Sequence, residues 1–350
     1  MKQQTKIMIW SVSLVCILLV LLYASTTCNR TPIYTLWAPP PVQDFEIKSY
    51  NMQYYDKGLA EKSIQFLVLV QTESCLTSHL SSEEAFGNAT LCQCDVLVLT
   101  FKRECNETSP AHIKYVLKPG TTWNEGRNFL YEVGKNRSEI YLYYIFTDDD
   151  VVFTTELSIN PWKTFLDFLL DIEPAVGVVD FIWNVEEGVG AVERLECGID
   201  INSTNYISAP NFDSAFNAFH YQAIDYILPY PTQFDKLSWW YSGYYSKVKC
   251  DIMFPGQVLM FTKIIAVNTQ HRPYPRRDPL DSPNWNIIIR EVEAPLPEKY
   301  RNSELLKAWK RLGMKNEDKS ASYCFPLPTP HKPIRPFSYL ESMANDSCNC

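Results

Sequence analysis

Five short apolar runs set the limits on what this chain can fold into. They are IQFLVLV (64–70), DVLVLTF (95–101), IKYVL (113–117), IYLYYIF (140–146) and AVGVVDF (175–181). Each is short for a helix and too continuously apolar for a strand with one wet face, so each reads as a strand buried on both sides. Helical patterns lie between them. PGTTWNEGRNFLYEVG gives a helix at about 123–133, with Thr122 as N-cap and Glu125 completing a capping box, and Pro161 sits at the first position of WKTFLDFLLDIE. Strand and helix in alternation predict an α/β domain of three layers, α/β/α, around a mostly parallel central sheet. Ligands of such sheets bind beyond the carboxyl ends of the strands.

The fourth run leads straight into Asp148, Asp149 and Asp150. Like charges repel, and an unpaired buried carboxylate is costly, so a positive partner is expected opposite them. Side chains two apart on an extended chain share a face, which sets Asp148 and Asp150 on one side and Asp149 on the other. Two carboxylates on a strand end suit a hard divalent cation, Mg²⁺ or Mn²⁺, which also takes phosphate oxygens from a substrate. A solvated acidic turn is the plainer reading of such a motif.

The N-terminus bears on compartment. Lys2 and Lys6 precede an uncharged apolar stretch from Ile7 to Tyr23, long enough to span a bilayer, and the first charge after it is Arg30. The positive-inside rule then makes residues 1–6 a cytosolic tail and 7–24 a signal anchor, with the body in the secretory lumen. Cleavage after the small residues Ala24 and Ser25 is the rival reading, and it gives a secreted body. Ten of the 11 cysteines lie beyond the anchor, an even number that fits disulfides in an oxidising compartment. Sequons at Asn29, Asn88, Asn106, Asn136, Asn202 and Asn345 fit a glycosylated luminal protein. The formal charge of −8, with no stripe of Lys and Arg, argues against nucleic acid as a partner. Residues 25–62, with PPP at 39–41, read as a stem, 63–295 as the main domain and 296–350 as a Pro- and Cys-containing extension packed on it.

In its order of elements the stretch from Ile64 to Arg277, with the DxD pattern of Asp148 and Asp150, resembles the GT-A fold of nucleotide-sugar-dependent glycosyltransferases. Many of these are Golgi proteins with one N-terminal anchor. The resemblance implies a UDP-sugar donor, a glycan or glycoprotein acceptor, and Mn²⁺ or Mg²⁺ held by Asp148 and Asp150. TWNEGRN looks like the helix that meets the nucleotide, which makes Arg127 and Asn128 contacts to diphosphate and base. A surface Arg127 paired with Glu125 or Glu132 is the alternative. Residues 216–235 resemble the segment that covers the donor sugar, read here as a helix over 214–227, so that Asp213, His220 and Asp235 line the donor or acceptor pocket. A core role for His220 is the alternative. Residues 258–276 resemble the late strand whose following histidine, here His271, completes the metal shell, with Arg272, Arg276 and Arg277 beside the phosphates.

One departure stands out. Where many inverting members carry an acidic pair, this chain has SWWYS at 238–242. Asp235 or Asp213 is then left to take the acceptor proton, unless the enzyme is retaining. Trp239 and Trp240 are expected to stack on an acceptor sugar or to fill a core. The missing pair also motivates a different class of function, a non-catalytic luminal glycan-binding protein on the same fold.

Overall fold

A computed structural model of the chain describes residues 65–137, 139–155, 160–182, 205–209, 212–269, 285–296 and 298–301, with a few isolated positions beyond. The expected anchor and stem, and most of the C-terminal extension, lie outside the described residues. Among the described residues no helix is long and apolar enough to cross a membrane.

The apolar runs become strands at or within two or three residues of the expected places. They are β1 (Phe66–Thr72), β2 (Cys94–Thr100), β3 (Ile113–Leu117), β4 (Tyr143–Asp148) and β6 (Val176–Ile182), joined by β5 (Val151–Thr154), β7 (Tyr206–Ser208), β8 (Phe216–His220) and β9 (Val258–Asn268). All nine form one sheet in the order β3-β2-β1-β4-β8-β6-β9-β5, with β7 also on β9. β3, β2, β1 and β4 are mutually parallel, and β6 and β9 are parallel to each other. β8 runs antiparallel to both β4 and β6, while β5 and β7 run antiparallel to β9. Six strands therefore point one way and three the other, a mostly parallel but mixed sheet.

Both faces are covered. α1 (Ala89–Cys92) is short, α2 (Trp123–Lys135) packs on β1 and β2, and α3 (Pro161–Ile172) packs on β5 and β9. Phe66, Val68 and Val70 of β1 join Trp162, Phe165 and Leu169 of α3 in one core, whereas Leu67, Leu69 and Tyr144 face Gly134 of α2. Alternate residues of one strand thus enter different cores, which is why the run shows no polar position. Each such large apolar side chain contributes about 1.5–3 kcal/mol by its burial. The expected capping box holds, with Glu125 N–H donating to Thr122 Oγ1 and Thr122 N–H donating to Glu125.

The helix expected over 214–227 is a correction. The segment splits into strand β8 and a shorter helix, α4 (Tyr221–Ile227), with His220 as its N-cap. All five residues of β8 are buried because it lies inside the sheet between β4 and β6. α5 (Trp239–Met253), α6 (Trp285–Glu293) and α7 (Glu298–Arg301) complete the helices with named bounds, and α5 packs on α6 and α4.

The expected disulfides are realised in part. Cys75 and Cys105 are bonded, and Cys92 pairs with Cys94. Cys250 is a buried free thiol, so the even count does not translate into complete pairing. Cys28, Cys197, Cys324, Cys348 and Cys350 lie outside the described residues.

Chain length then decides where the polar residues gather. Only Asp149 and Asp150 separate β4 from β5, a reach of about 11 Å across three Cα steps. Yet β5 is four places along the sheet from β4, about 19 Å if the sheet were flat. The sheet must bend, and the bend carries the end of β9 back to the end of β4. Thr269, just past β9, donates through its N–H and its Oγ1 to the Asp150 carbonyl at 3.1 and 3.0 Å.

Candidate active site

Each of the three aspartates has its own setting. Asp149 and Asp150 form a turn rather than continuing the strand, so the alternation expected of an extended chain does not run through them; Asp149 is buried and accepts from Thr72 Oγ1 at 2.8 Å, while Thr77 Oγ1 donates to its carbonyl. Asp150 is buried at the end of the β4 to β5 crossing, directly before β5. Asp148 closes β4, its N–H donating to the Ala215 carbonyl and its carboxylate partly open, at 24% side-chain exposure.

The expected positive partner of Asp148 is Arg127. Its Nη2 lies 2.7 Å from Asp148 Oδ1, which also accepts from Trp123 Nε1 at 2.9 Å. Trp123 and Arg127 are one turn apart on α2 and so reach the same point. The guanidinium also donates to the carbonyls of Ser214 and Ala215 and lies over the Trp123 ring at 4.0 Å. With 2% of its side chain exposed, it is neither a surface residue paired with Glu125 or Glu132 nor a group open to a diphosphate. Both expectations are corrected: Arg127 orients Asp148.

Asn128 is corrected on similar grounds. Its amide donates to the Tyr230 carbonyl and accepts from the Tyr230 N–H, both at 2.8 Å, which commits it to the backbone rather than to a nucleobase. His220 is fully buried, accepts from Gln222 N–H through Nδ1, stands edge-on to Tyr143 and approaches Glu173 at 3.4 Å. It is a core histidine, not a pocket residue.

Asp235 stays close to the site through α2. Its two carboxylate oxygens accept from Thr122 Oγ1 and Asn124 Nδ2, and Asn124 also donates to Ser242 Oγ of α5 at 2.8 Å. Burial raises its proton affinity, and these two hydrogen bonds oppose that. The first turn of α2 thus grips Asp148 on one side and Asp235 on the other. Gly126 makes this turn possible: a Cβ there would meet the Gln71 amide at about 2.3 Å, and that amide donates to the Thr122 carbonyl.

Asp213 is half-buried before β8 and accepts from the Ala215 N–H at 2.7 Å. Burial pushes its carboxyl above the usual range, the nearby Lys247 ammonium pulls it back, and the Asp148 charge pushes it up again. Asp213, Asp148, Arg127 and Lys247 therefore share one electrostatic neighbourhood. Lys247 and Trp123 had no role in the sequence reading. For Trp123 the spacing to Arg127 was a usable signal; for Lys247 there was none. Trp240 is 36% exposed and Trp239 half-buried, both at the start of α5, whose N-cap Ser238 accepts from the Trp240 N–H.

The donor set at this strand end is carboxylate oxygen, which suits a hard divalent cation rather than a soft one. Among the described residues no group of three or more His, Cys, Asp or Glu is gathered to hold a metal. His271, Arg272, Arg276 and Arg277 lie outside the described residues. Of the sequons, Asn106 and Asn136 are exposed, Asn88 is the half-buried N-cap of α1, and Asn29, Asn202 and Asn345 lie outside the described residues.

No protein-family model matches the chain, and no curated protein does. Among solved structures it is similar to S. aureus TarS 1–349, at 11% identity and a TM-score of 0.40 over 71% of each chain. The same fragment in complex with UDP gives 13% identity, a TM-score of 0.40 and the same coverage. GalNAc-T7 with UDP, GalNAc and Mn²⁺ gives 9% identity and a TM-score of 0.42 over 68% of this chain and 50% of that one, so this chain spans about half of its length.

Proposed function

We propose that the chain is a metal-dependent glycosyltransferase that moves a sugar from a nucleotide-diphosphate donor, a UDP-sugar, to a glycan or glycoprotein acceptor. The observation that carries this reading is the placement of Asp148. It ends a strand inside the sheet, where the bend brings β5 and the end of β9 to it, and Arg127 and Trp123 fix its carboxylate while leaving it partly open. Mn²⁺ or Mg²⁺ would be held by Asp148 and Asp150, with His271, two residues past Thr269, as a further ligand. Such a cation supplies neutralisation of the charge that builds on the leaving diphosphate.

The chain's own residues divide the remaining work. Arg127 holds Asp148 in orientation. Asp235 has both oxygens engaged and positions the first turn of α2. Asp213, half-buried and holding its proton more tightly than an ordinary carboxylate, is the group assigned to the acceptor proton. Trp239 and Trp240 offer a stacking surface for an acceptor sugar. Arg272 and Arg276 are assigned to the phosphates. The body would sit in the Golgi or ER lumen behind the anchor at 7–24, with Asn106 and Asn136 as the exposed glycan sites among the described residues.

The test is turnover. With Mn²⁺ the wild type releases UDP from at least one UDP-sugar, and Asp150→Ala or EDTA abolishes release; release unaffected by either sinks the metal role. The tryptophans at 239 and 240, standing where an acidic pair is usual, favour a second reading, a glycan-binding protein without turnover. That reading predicts carbohydrate binding that survives removal of Asp148 and Asp150.

A further inference from the structure

Among the described residues, two cations stand among the carboxylates at the end of β4, and they differ in what they have left to give. Arg127 is nearly fully buried and donates to Asp148, Ser214 and Ala215. Lys247 lies on α5, one turn beyond Gly243, where a Cβ would come within 2.9 Å of Ser214 Oγ. That close approach seats α5 against the 213–215 loop, and residues four apart on a helix share a face, so Lys247 faces the same loop. Asp213 accordingly feels the Lys247 charge more strongly than that of Asp148 or Arg127.

The Lys247 ammonium lies 4.6 Å from the centre of the Tyr244 ring and, among the described residues, donates no hydrogen bond. Its side chain is half-buried. An ammonium has three donors and acts as a compact point charge on a flexible stem, which suits phosphate oxygens. A nucleoside-diphosphate donor would bring further negative charge to a place already holding Asp148, Asp150 and Asp213, and Arg127, with 2% of its side chain exposed, is closed off from it.

We propose that Lys247 meets the diphosphate of the donor and stabilises it as the leaving group; this rests on the glycosyltransferase reading above. As the bond between the anomeric carbon and the diphosphate oxygen breaks, its electron pair stays on that oxygen. The acceptor oxygen forms the new bond to carbon and gives its proton to a base. The charge left on the diphosphate is what the ammonium meets.

The experiment compares UDP with uridine, in the presence of Mn²⁺, by calorimetry on wild type, Lys247→Met, Lys247→Gln and Lys247→Arg. Loss of a charge-assisted hydrogen bond predicts about 10- to 100-fold weaker UDP binding for the Met and Gln variants. Uridine affinity should stay within about twofold, and Lys247→Arg should recover most of the UDP affinity. UDP affinity unchanged in both neutral variants, or UDP and uridine weakened alike, overturns the proposal, since the first denies contact and the second denotes a structural role. In both cases wild type still binds UDP, so the broader reading survives. Wild type that binds neither ligand overturns that reading and the proposal together.

Discussion

The two halves of the sheet hold their polar groups in different ways. In the parallel half, from β3 to β4, with α2 packed on it, the polar groups of the site are bound to one another: Asp148 to Arg127 and Trp123, Asp149 to Thr72, Gln71 to Thr122. Asn128 of the same helix is likewise closed on the Tyr230 backbone. The mixed half, from β8 onward with α5, presents more open groups: half-buried Asp213, half-buried Lys247, which among the described residues donates no hydrogen bond, and exposed Trp240. Most side chains of the first group are already bonded, apart from the partly open Asp148 carboxylate, and the second group can still add bonds to a ligand. A substitution among the bonded side chains should therefore cost stability, and one among the open ones should cost binding.

The largest effect is expected at Arg127. Arg127→Met strips a buried guanidinium from Asp148 and should destabilise the protein by about 3–5 kcal/mol in urea unfolding followed by tryptophan fluorescence. Combining it with Asp148→Asn should recover a substantial part of that loss, because the residual penalty is the carboxylate left unpaired. A loss below about 1 kcal/mol would erase the contrast between the halves. Next comes Asn128→Ala, which leaves the Tyr230 N–H and carbonyl without their partner. It should cost about 2 kcal/mol while UDP affinity stays within about twofold. A large loss of affinity at unchanged stability would return Asn128 to the nucleotide.

Asp235→Asn is a smaller change with a pH signature. The replacement loses one accepted hydrogen bond, about 1 kcal/mol at pH 4. Burial raises the Asp235 pKa in the folded state, so the folded protein binds that proton more tightly than the unfolded chain. This contribution to wild-type stability is present below the ordinary aspartate value of about 3.9 and is lost as pH rises through the folded pKa. The deficit of Asp235→Asn relative to wild type should therefore shrink from pH 4 to pH 7. A deficit that grows with pH would mean a carboxyl whose folded pKa is depressed. The smallest stability change is expected on the open side: Trp240→Ala should alter stability by no more than about 0.5 kcal/mol yet weaken binding of acceptor glycans.

Much of the fold was legible beforehand because its rules are local. An apolar run buried on both faces, a Thr122 and Glu125 capping box and a Pro161 helix start each need only a few neighbouring residues. β8 was misread for a physical reason. Phe216, Phe219, Ala223, Ile224 and Ile227 fall at helical spacing, and a strand buried on both faces shows no alternation to contradict that period. The role of Arg127 was missed because its partners, Asp148 and the Ser214 and Ala215 carbonyls, come from two distant strand ends that only the folded sheet brings together. Lys247 was invisible for the same reason, since its setting depends on α5 closing on the 213–215 loop across Gly243.

Asp148 and Asp150 are proposed to form the site at which a divalent cation and a nucleoside diphosphate meet. Titration of UDP into wild type and Asp150→Ala, each with Mn²⁺ and again with EDTA, decides this. Wild type should bind UDP with Mn²⁺, and EDTA or Asp150→Ala should weaken binding by about 100-fold or more, at least the loss of one charged contact. UDP binding of equal strength in all four conditions would overturn the assignment.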